Sequence, residues 1–377
     1  MNKKERVIVA MSGGVDSSVA AALLVEAGYE CIGITMQLWS DDLPKGKNNE
    51  SGCCSLSAVE DARRVANKLG IPYYVLNFSH AFAEEVIEQF TADYMRGLTP
   101  NPCIVCNERV KFGTLLRKAY ELDARYVATG HYARVGYDEK YGRYVVRRGV
   151  DRKKDQSYTM HGLTQEQLSH MLTPVGEYNK EQIREMARGL DLITATKPDS
   201  QEICFVPDGD YKAFMREVAP ESVKEGLIVN TKGEVLGTHQ GIAYYTIGQR
   251  RGLGIAADQP LYVVDLDAET NRVIVGTADE VFGDALIADG VNWVAWEGLD
   301  EPREVECQIR YHAPSSPATV IPMPDGRVEV RFHTPQRAIT PGQRVVWYEG
   351  DVVLGGGTIV ETRRIAPEAS EEPLKVH

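Results

Sequence analysis

No stretch of the 377 residues is long and apolar enough to span a bilayer. The charged opening Met1-Asn2-Lys3-Lys4-Glu5-Arg6 leads into an apolar run too short for a secretory signal. Cysteines number seven, an odd count scattered along the chain, which does not resemble a secreted disulfide framework. The expected setting is a reducing cytoplasm, with no membrane partner. Internal repeats and low-complexity blocks are absent as well. Basic charge is in deficit, with 42 Lys and Arg against 54 Asp and Glu and a net charge of −12. That argues against indiscriminate binding to nucleic acid, which depends on cations facing phosphates. It leaves room for a specific RNA held by a local basic patch. One such segment holds Arg143, Arg147, Arg148, Arg152, Lys153 and Lys154, and charge alone reads it equally well as a solvated hairpin.

A buried-strand pattern, Val7-Ile8-Val9-Ala10, breaks at Gly13-Gly14 and gives way to helical spacing from Val19 to Ala27. No Gly-Lys-Ser/Thr follows the glycines, so the loop is not a Walker A and lacks its lysine clamp on phosphates. Val15-Asp16-Ser17-Ser18 stands there instead. A helix start presents unpaired N–H groups to an anion, usually phosphate, and glycines let that anion approach. Ser12-Gly13-Gly14-Val15-Asp16-Ser17 resembles the PP-loop of the ATP pyrophosphatases, which cut ATP into AMP and pyrophosphate.

At this length, with 43% hydrophobic and 25% charged residues, the chain holds two or three domains with their own cores. Strand patterns at 31–39, 73–78 and 126–133 alternate with helical ones from Ser57, over 81–94 and over 111–122. Ser57-Ala58-Val59-Glu60 reads as a capping box, and Gly70 with Pro72 ends that helix. Residues 101–107 read as a loop. The alternation predicts a Rossmann-like parallel sheet that binds ligands at its strand carboxyl ends. Beyond about Phe205 short β segments lie between Gly, Asn and Asp turns, and Val328, Val330 and Phe332 alternate with period two. The expected class is α/β: a PP-loop domain over 1–205, followed by two small β-rich domains. These are a central one over 206–282 and a C-terminal barrel over 283–365, before a disordered polar tail over 366–377.

Asn101-Pro102-Cys103-Ile104-Val105-Cys106-Asn107 sets a Cys-x-x-Cys in a proline-stiffened loop just ahead of a helix. Thiol pKa values fall near a helix N-terminus, which makes thiolate available. Cys204 lies in Lys197-Pro198-Asp199-Ser200-Gln201-Glu202-Ile203-Cys204-Phe205, near the start of the β domains. On these residues alone three readings stay open: sulfur or redox chemistry by two thiols, metal ligation by all three, and inert thiols. Zinc needs a fourth ligand, and no spacing marks His80 or His131 for it. Cys31 and Cys53-Cys54 read as structural or incidental, Cys307 as core.

Taken together, the motifs resemble those of the bacterial tRNA-specific 2-thiouridylases, which replace the C2 oxygen of the wobble uridine (position 34) in certain tRNAs with sulfur. The likeness covers almost the whole chain. It includes Met11-Ser12-Gly13-Gly14-Val15-Asp16-Ser17-Ser18, Asn101-Pro102-x-x-x-Cys106-Asn107, Ala128-Thr129-Gly130-His131-Tyr132 and Lys154-Asp155-Gln156-Ser157-Tyr158. It continues through Ser200-Gln201-Glu202-Ile203-Cys204-Phe205, Tyr245-Thr246-Ile247-Gly248-Gln249-Arg250-Arg251-Gly252-Leu253-Gly254, Arg310-Tyr311 and Pro341-Gly342-Gln343.

The resemblance implies ATP held by Ala10, Met11, Ser12, Gly13, Gly14, Val15, Asp16 and Ser17, with Met36 and Gly130 against the nucleotide and Mg2+ on the pyrophosphate. It implies adenylation of uridine O2 and a persulfide on Cys204, supplied by a cysteine desulfurase or a sulfur-relay protein. Cys106 would be the nucleophile that releases this sulfur to C2, with a Cys106–Cys204 disulfide as a product. Asn101, Pro102 and Cys103 would meet the target base. His131, Lys154, Asp155, Gln156, Arg310, Tyr311 and Gln343 would meet the tRNA. An unpaired wobble base can be flipped into a pocket at modest cost.

Many members carry aspartate where this chain has Cys103, so no role of that aspartate carries over. With Cys103 as a third thiol, the trio Cys103, Cys106 and Cys204 offers an alternative: an iron–sulfur cluster with one open iron, as in related thiolation enzymes. Two rivals come from other classes. A PP-loop amide-forming ligase also adenylates an oxygen but needs no paired cysteines. A nucleotide-binding module would release no pyrophosphate.

Overall fold

A computed structural model describes residues 4–39, 55–199, 203–206 and 210–363. Cys53, Cys54, Ser200, Gln201, Glu202 and the tail expected to be disordered lie outside the described residues. Seven strands come first: β1 (Arg6–Ala10), β2 (Glu30–Gln37), β3 (Tyr73–Asn77), β4 (Tyr126–Ala128), β5 (Ala133–Asp138), β6 (Arg143–Arg148) and β7 (Met171–Leu172). Five of them form a parallel sheet in the order β3-β2-β1-β4-β7, the Rossmann-like layer expected from the alternation. Val7, Ile8 and Val9 of β1 are fully buried, as a strand covered on both faces requires. Helix α1 (Val15–Glu26) carries the chain from β1 to β2 on one side, and β4 later pairs on the other. The carboxyl end of β1 is therefore a topological switch point, where a parallel sheet opens a crevice for ligands.

Three local expectations are corrected. Helix α2 (Leu56–Leu69) is capped by Ser55, whose hydroxyl accepts from the Ala58 amide at 3.2 Å, rather than by Ser57. Ser55 has the extended backbone a cap needs, while Ser57 already lies within the first turn. The fourth strand stops at Ala128, and Ala133 instead begins β5. The expected loop at 101–107 is helical. Pro102 opens a turn over Pro102–Val105 that runs on as a π-helical segment, Cys106–Thr114, and an α-helix, Leu115–Glu121. At the first helical position proline's fixed φ helps, and its missing N–H costs nothing.

Beyond this unit, β8 (Gly226–Asn230), β9 (Val235–His239), β10 (Tyr262–Asp267) and β11 (Arg272–Gly276) form a sheet in the order β10-β11-β8-β9. The remaining strands are β12 (Phe282–Trp293), β13 (Arg303–Gln308), β14 (Ser316–Pro322), β15 (Val328–Arg337), β16 (Arg344–Glu349) and β17 (Val352–Arg363). They close into a barrel, because β12 pairs with both β15 and β17. The period-two residues Val328, Val330 and Phe332 of β15 face its core, together with Cys307. The β5–β6 hairpin joins the same sheet through Arg147 and Val352, so an early stretch of the chain is built onto its last domain. No helix among the described residues is long and apolar enough to cross a membrane.

Candidate active site

The loop after β1 is shaped by its glycines. Gly13 takes φ +68°, and a Cβ there would lie 2.1 Å from the Ala58 carbonyl oxygen of α2. Gly14 caps α1 without a side-chain hydrogen bond, which leaves the first-turn amides available to an anion. Ser17 Oγ accepts from the Ser12 amide at 3.2 Å and lies 3.3 Å from Ser12 Oγ, while Ser18 Oγ donates to the Gly14 carbonyl at 2.8 Å. From below, Thr35 Oγ1 donates to the Met11 carbonyl at 2.6 Å and receives the Tyr73 hydroxyl at 2.7 Å. Gly130, just past β4, abuts the same helix start: a Cβ would sit 2.7 Å from Ser17 N. Met36 lies half-buried near the end of β2, beside the main core.

Asp16 is the centre of an ionic network that the sequence did not reveal. Lys180 Nζ donates to both its carboxylate oxygens at 2.8 Å, and the Tyr132 hydroxyl donates to Oδ1 at 2.6 Å. Lys180 also reaches Asp199 at 2.9 Å, which in turn receives Lys154 at 2.7 Å and Arg184 at 2.9 Å. Burial alone would raise the Asp199 pKa, but hydrogen bonds from Lys154 and Lys180 bring it down to about 2. Lys180 stands in the first turn of the helix Lys180–Gly189, behind the capping box of Asn179 and Gln182. A cation there opposes the helix dipole. That local conflict is the one sequence signal that could have pointed to distant carboxylates.

The cysteine-bearing turn begins at Asn101, whose backbone is extended (φ −116°, ψ 95°). Pro102, Ile104 and Val105 are buried, Cys103 is exposed, and Cys106 is 6% exposed at the α-to-π junction. Asn107 Nδ2 donates to the Thr159 carbonyl at 3.1 Å, and Asn107 Oδ1 accepts from Lys111 Nζ at 2.9 Å. Lys111 Nζ in turn lies 3.4 Å from His131 Nε2, and His131 Nδ1 is 2.7 Å from Thr129 Oγ1. Burial, then the Lys111 charge, hold the His131 pKa well below its usual value. Cys204 is exposed, but its neighbour Phe205 packs edge-on against Phe82 and Phe90, in the core that also holds Cys106. Among the described residues, no three His, Cys, Asp or Glu side chains converge to hold a metal ion. The trio Cys103, Cys106 and Cys204 therefore does not fit an iron–sulfur cluster, and no step is derived through one.

The barrel closes the site from the other side. Thr99, two residues before Asn101, donates from its amide to the Pro341 carbonyl at 3.0 Å and accepts from Gln343 Nε2 at 2.9 Å. Tyr311 stands near Asp155 and Cys103 and hydrogen-bonds Gln156; its pKa is raised to about 12, chiefly by burial. Gln156 Oε1 accepts from the Tyr132 amide at 2.9 Å. Asp155 is turned inward, accepting from Gly149 N at 2.9 Å and Ser157 Oγ at 2.8 Å. Arg310 is exposed, and its Nη2 donates to the Arg337 carbonyl at 3.3 Å. Asn101, Cys103, Gln156 and Tyr311 thus lie around one end of the sheet, whereas Gln343 and Asp155 bind their own chain.

Three family models match the chain in succession. They are described as a tRNA methyl transferase HUP domain over 5–208, a tRNA methyl transferase PRC-barrel domain over 212–277 and an aminomethyltransferase β-barrel domain over 283–359. The tRNA-specific 2-thiouridylase MnmA of Pelotomaculum thermopropionicum is 56% identical over 360 residues, covering 96% of this chain and 98% of that protein. The protein of the same name from Desulforamulus reducens is 52% identical, covering 95% and 98%. The chain belongs to the tRNA-specific 2-thiouridylase family. A solved 4-thiouridine synthetase–RNA complex with bound ATP aligns at 15% identity and a TM-score of 0.33, over 57% of this chain and 50% of that one.

In this 2-thiouridylase the basic segment of the sequence is largely neutralised within the fold. Arg147 pairs with Asp138, Arg152 with Asp351, and Lys154 with Asp199. Arg148 lies over the Tyr348 ring at 3.6 Å and 3.7 Å from Asp155. These side chains fasten the β5–β6 hairpin to the barrel and to the site instead of forming an open cationic patch.

Proposed function

We propose that the protein thiolates C2 of the wobble uridine, position 34, of tRNA at the expense of ATP. Uridine O2 attacks the α-phosphate, and pyrophosphate leaves, so that a poor leaving group becomes AMP. The amides at the start of α1, Ser12, Ser17 and Lys180 stabilise the phosphate charge. Asp16 is the carboxylate suited to Mg2+, which is typically bound through one or two carboxylates plus phosphates and would neutralise charge on the pyrophosphate.

A cysteine desulfurase or sulfur-relay protein delivers the sulfur as a Cys204 persulfide. Attack by the Cys106 thiolate on Cys204 Sγ forms the Cys106–Cys204 disulfide, and the bonding pair leaves with the outer sulfur as hydrosulfide. That sulfur adds to C2, and AMP departs carrying the former O2. An external thiol then reduces the disulfide. Asn101, Pro102 and Cys103 line the entry for the base, with Tyr311 and Gln156 beside Cys103.

The observation that carries this reading is the link through Lys180. This lysine bonds both Asp16 in the glycine loop and Asp199, which stands five residues before Cys204 in the sequence, and that link supports a common setting for activation and sulfur transfer. The test is nucleoside mass spectrometry of tRNA incubated with protein, ATP and a persulfide donor. 2-Thiouridine should form with the wild type and disappear in Cys106→Ser and Cys204→Ser. Turnover that survives both substitutions would favour an amide-forming ligase and overturn the proposal.

A further inference from the structure

Lys111 is a half-buried cation that the chemistry above does not use. It lies in the π-helical segment Cys106–Thr114, five residues after Cys106. A π-turn closes with i→i+5 bonds, so residues five apart stack along one side, and such turns recur at functional sites. Long helical side chains lean back toward the N-terminus, and this one does. Its Nζ donates to Asn107 Oδ1 at 2.9 Å, on the residue next to the sulfur-releasing cysteine.

The other neighbour of Lys111 belongs to the nucleotide side. Its Nζ lies 3.4 Å from His131 Nε2. An ammonium has only protons to give, so Nε2 accepts, and Nδ1 carries the proton that reaches Thr129 Oγ1 at 2.7 Å. His131 directly follows Gly130, which abuts the first turn of α1 at Ser17. Lys111 therefore joins the residue after the nucleotide glycine to the residue after the nucleophile. Both supports are fixed: Asn107 and His131 are buried, and Asn107 Nδ2 donates to the carbonyl and the hydroxyl of Thr159, each at 3.1 Å. Glu108, the acid of the same segment, turns elsewhere. A Cβ on Gly162 would meet its Oε1, and Arg344 and Arg109 are the charges that act on it. Among the described residues no carboxylate pairs with Lys111, whereas Lys180 has two. A charge withdrawn from water and held only by an amide oxygen and a neutral imidazole is costly unless an anion meets it.

We propose that Lys111 is the counter-cation of the sulfur-transfer step, holding positive charge where sulfur becomes anionic. This rests on the tRNA-thiolation reading above. In that step Cys106 gives its proton to water and its thiolate attacks Cys204 Sγ. The persulfide S–S bond breaks, and the outer sulfur leaves with the bonding pair as hydrosulfide. Negative charge thus passes from one sulfur to another beside a single fixed cation, which needs no reorganisation at the moment of reaction. Lys180 serves the phosphates and Lys111 the sulfur, one lysine for each half of the reaction.

The experiment measures 2-thiouridine and pyrophosphate from one single-turnover reaction of the full-length protein with tRNA, ATP and glutathione persulfide. Lys111→Gln keeps an N–H donor for Asn107 but no charge. It should form 2-thiouridine about 100-fold more slowly, while pyrophosphate release falls no more than about 3-fold. Lys111→Arg should recover about 10-fold of the loss, because the charge returns. Should Lys111→Gln fail to fold, Asn107→Asp sets a carboxylate on the ammonium, neutralises it in place and should show the same split. A wild-type yield of 2-thiouridine per pyrophosphate in the folded variants, or a parallel fall of both products, would overturn the inference. Absence of 2-thiouridine from the wild type would instead overturn the thiolation reading, and this inference with it.

Discussion

Lys180 Nζ lies 2.8 Å from each carboxylate oxygen of Asp16, joining the helix after the sheet to the phosphate loop at its start. The lysine is only 13% exposed, so its charge acts in a medium that screens it weakly. In the proposed reaction it would supply, from outside the loop, the fixed cation that a Walker A loop carries within itself. Lys180→Met should lower tRNA-dependent pyrophosphate release about 100-fold, or about 2.7 kcal/mol of barrier, and Lys180→Arg should recover part of it. Asp199 keeps Lys154 and Arg184, so the loss of folding stability should stay near 1–3 kcal/mol in urea. Undiminished pyrophosphate release by Lys180→Met would remove the lysine from the phosphate site.

Gly130 offers a purely steric test of the same site. An added Cβ would meet Ser17 N at 2.7 Å and the Asp16 carbonyl carbon at 2.8 Å, both of them backbone atoms that cannot swing aside. Gly130→Ala should therefore cost about 1–3 kcal/mol of stability by overpacking and shift the first turn of α1. The KM for ATP should rise roughly 10-fold, a factor worth about 1.4 kcal/mol, while Gly142→Ala on the exposed β5–β6 turn leaves it unchanged. Equal ATP affinity in Gly130→Ala and wild type would show that α1 tolerates the shift.

What was legible in the sequence follows the range of the interactions. Strand β1, the glycine turn and α1 declare themselves because pattern, turn residues and helix start lie within one short stretch. Lys180, Tyr132 and Asp199 do not, since their partners are remote in sequence and become neighbours only when the sheet is assembled. The basic segment misleads for the same reason: Asp351 and Asp199, which neutralise Arg152 and Lys154, are far down the chain. At 101–107 the sequence reads as a loop and the chain is helical, because proline suits the first position of a helix as well as a loop. The docking of the β5–β6 hairpin onto the barrel was not legible, as its strand partner Val352 lies far down the chain.

His161 gives the fold a specific acid sensitivity. Its ring is buried, with Nδ1 donating to the Tyr158 carbonyl at 2.9 Å, and burial followed by the Arg344 charge lowers its pKa from 6.5 to about 3. The folded state thus refuses a proton that the unfolded chain accepts between those values. Stability from this group is complete above pH 6.5 and is lost progressively as pH falls towards 3, reaching about 2 kcal/mol at pH 5. Glu108, whose pKa burial raises, works in the opposite sense, so total stability mixes the two. The difference in urea stability between wild type and His161→Gln isolates the histidine. It should shrink by about 2 kcal/mol between pH 7.5 and pH 5, and a pH-independent difference would refute the assignment.

Gln343 separates a brace from an RNA contact. Its Nε2 donates to the Thr99 carbonyl, Thr99 N donates to the Pro341 carbonyl, and Gln343's own carbonyl accepts from Ile359 N in the barrel wall. Pro100 and Asn101 follow directly, so the barrel fixes the approach to the cysteine turn through these two bonds to Thr99, one of them from the Gln343 side chain. Removing it in Gln343→Ala costs about 1 kcal/mol of stability, because water can reach the half-buried carbonyl it leaves. The kinetic consequence is larger, since small displacements of a positioned nucleophile are costly to rate. The kcat for thiolation should fall about 10-fold while the Kd for tRNA and the KM for ATP hold. A residue that touched tRNA would show the reverse: a weakened Kd with kcat preserved at saturation. Single-turnover thiolation measured alongside tRNA anisotropy distinguishes the two, and the bond to Thr99 supports the first.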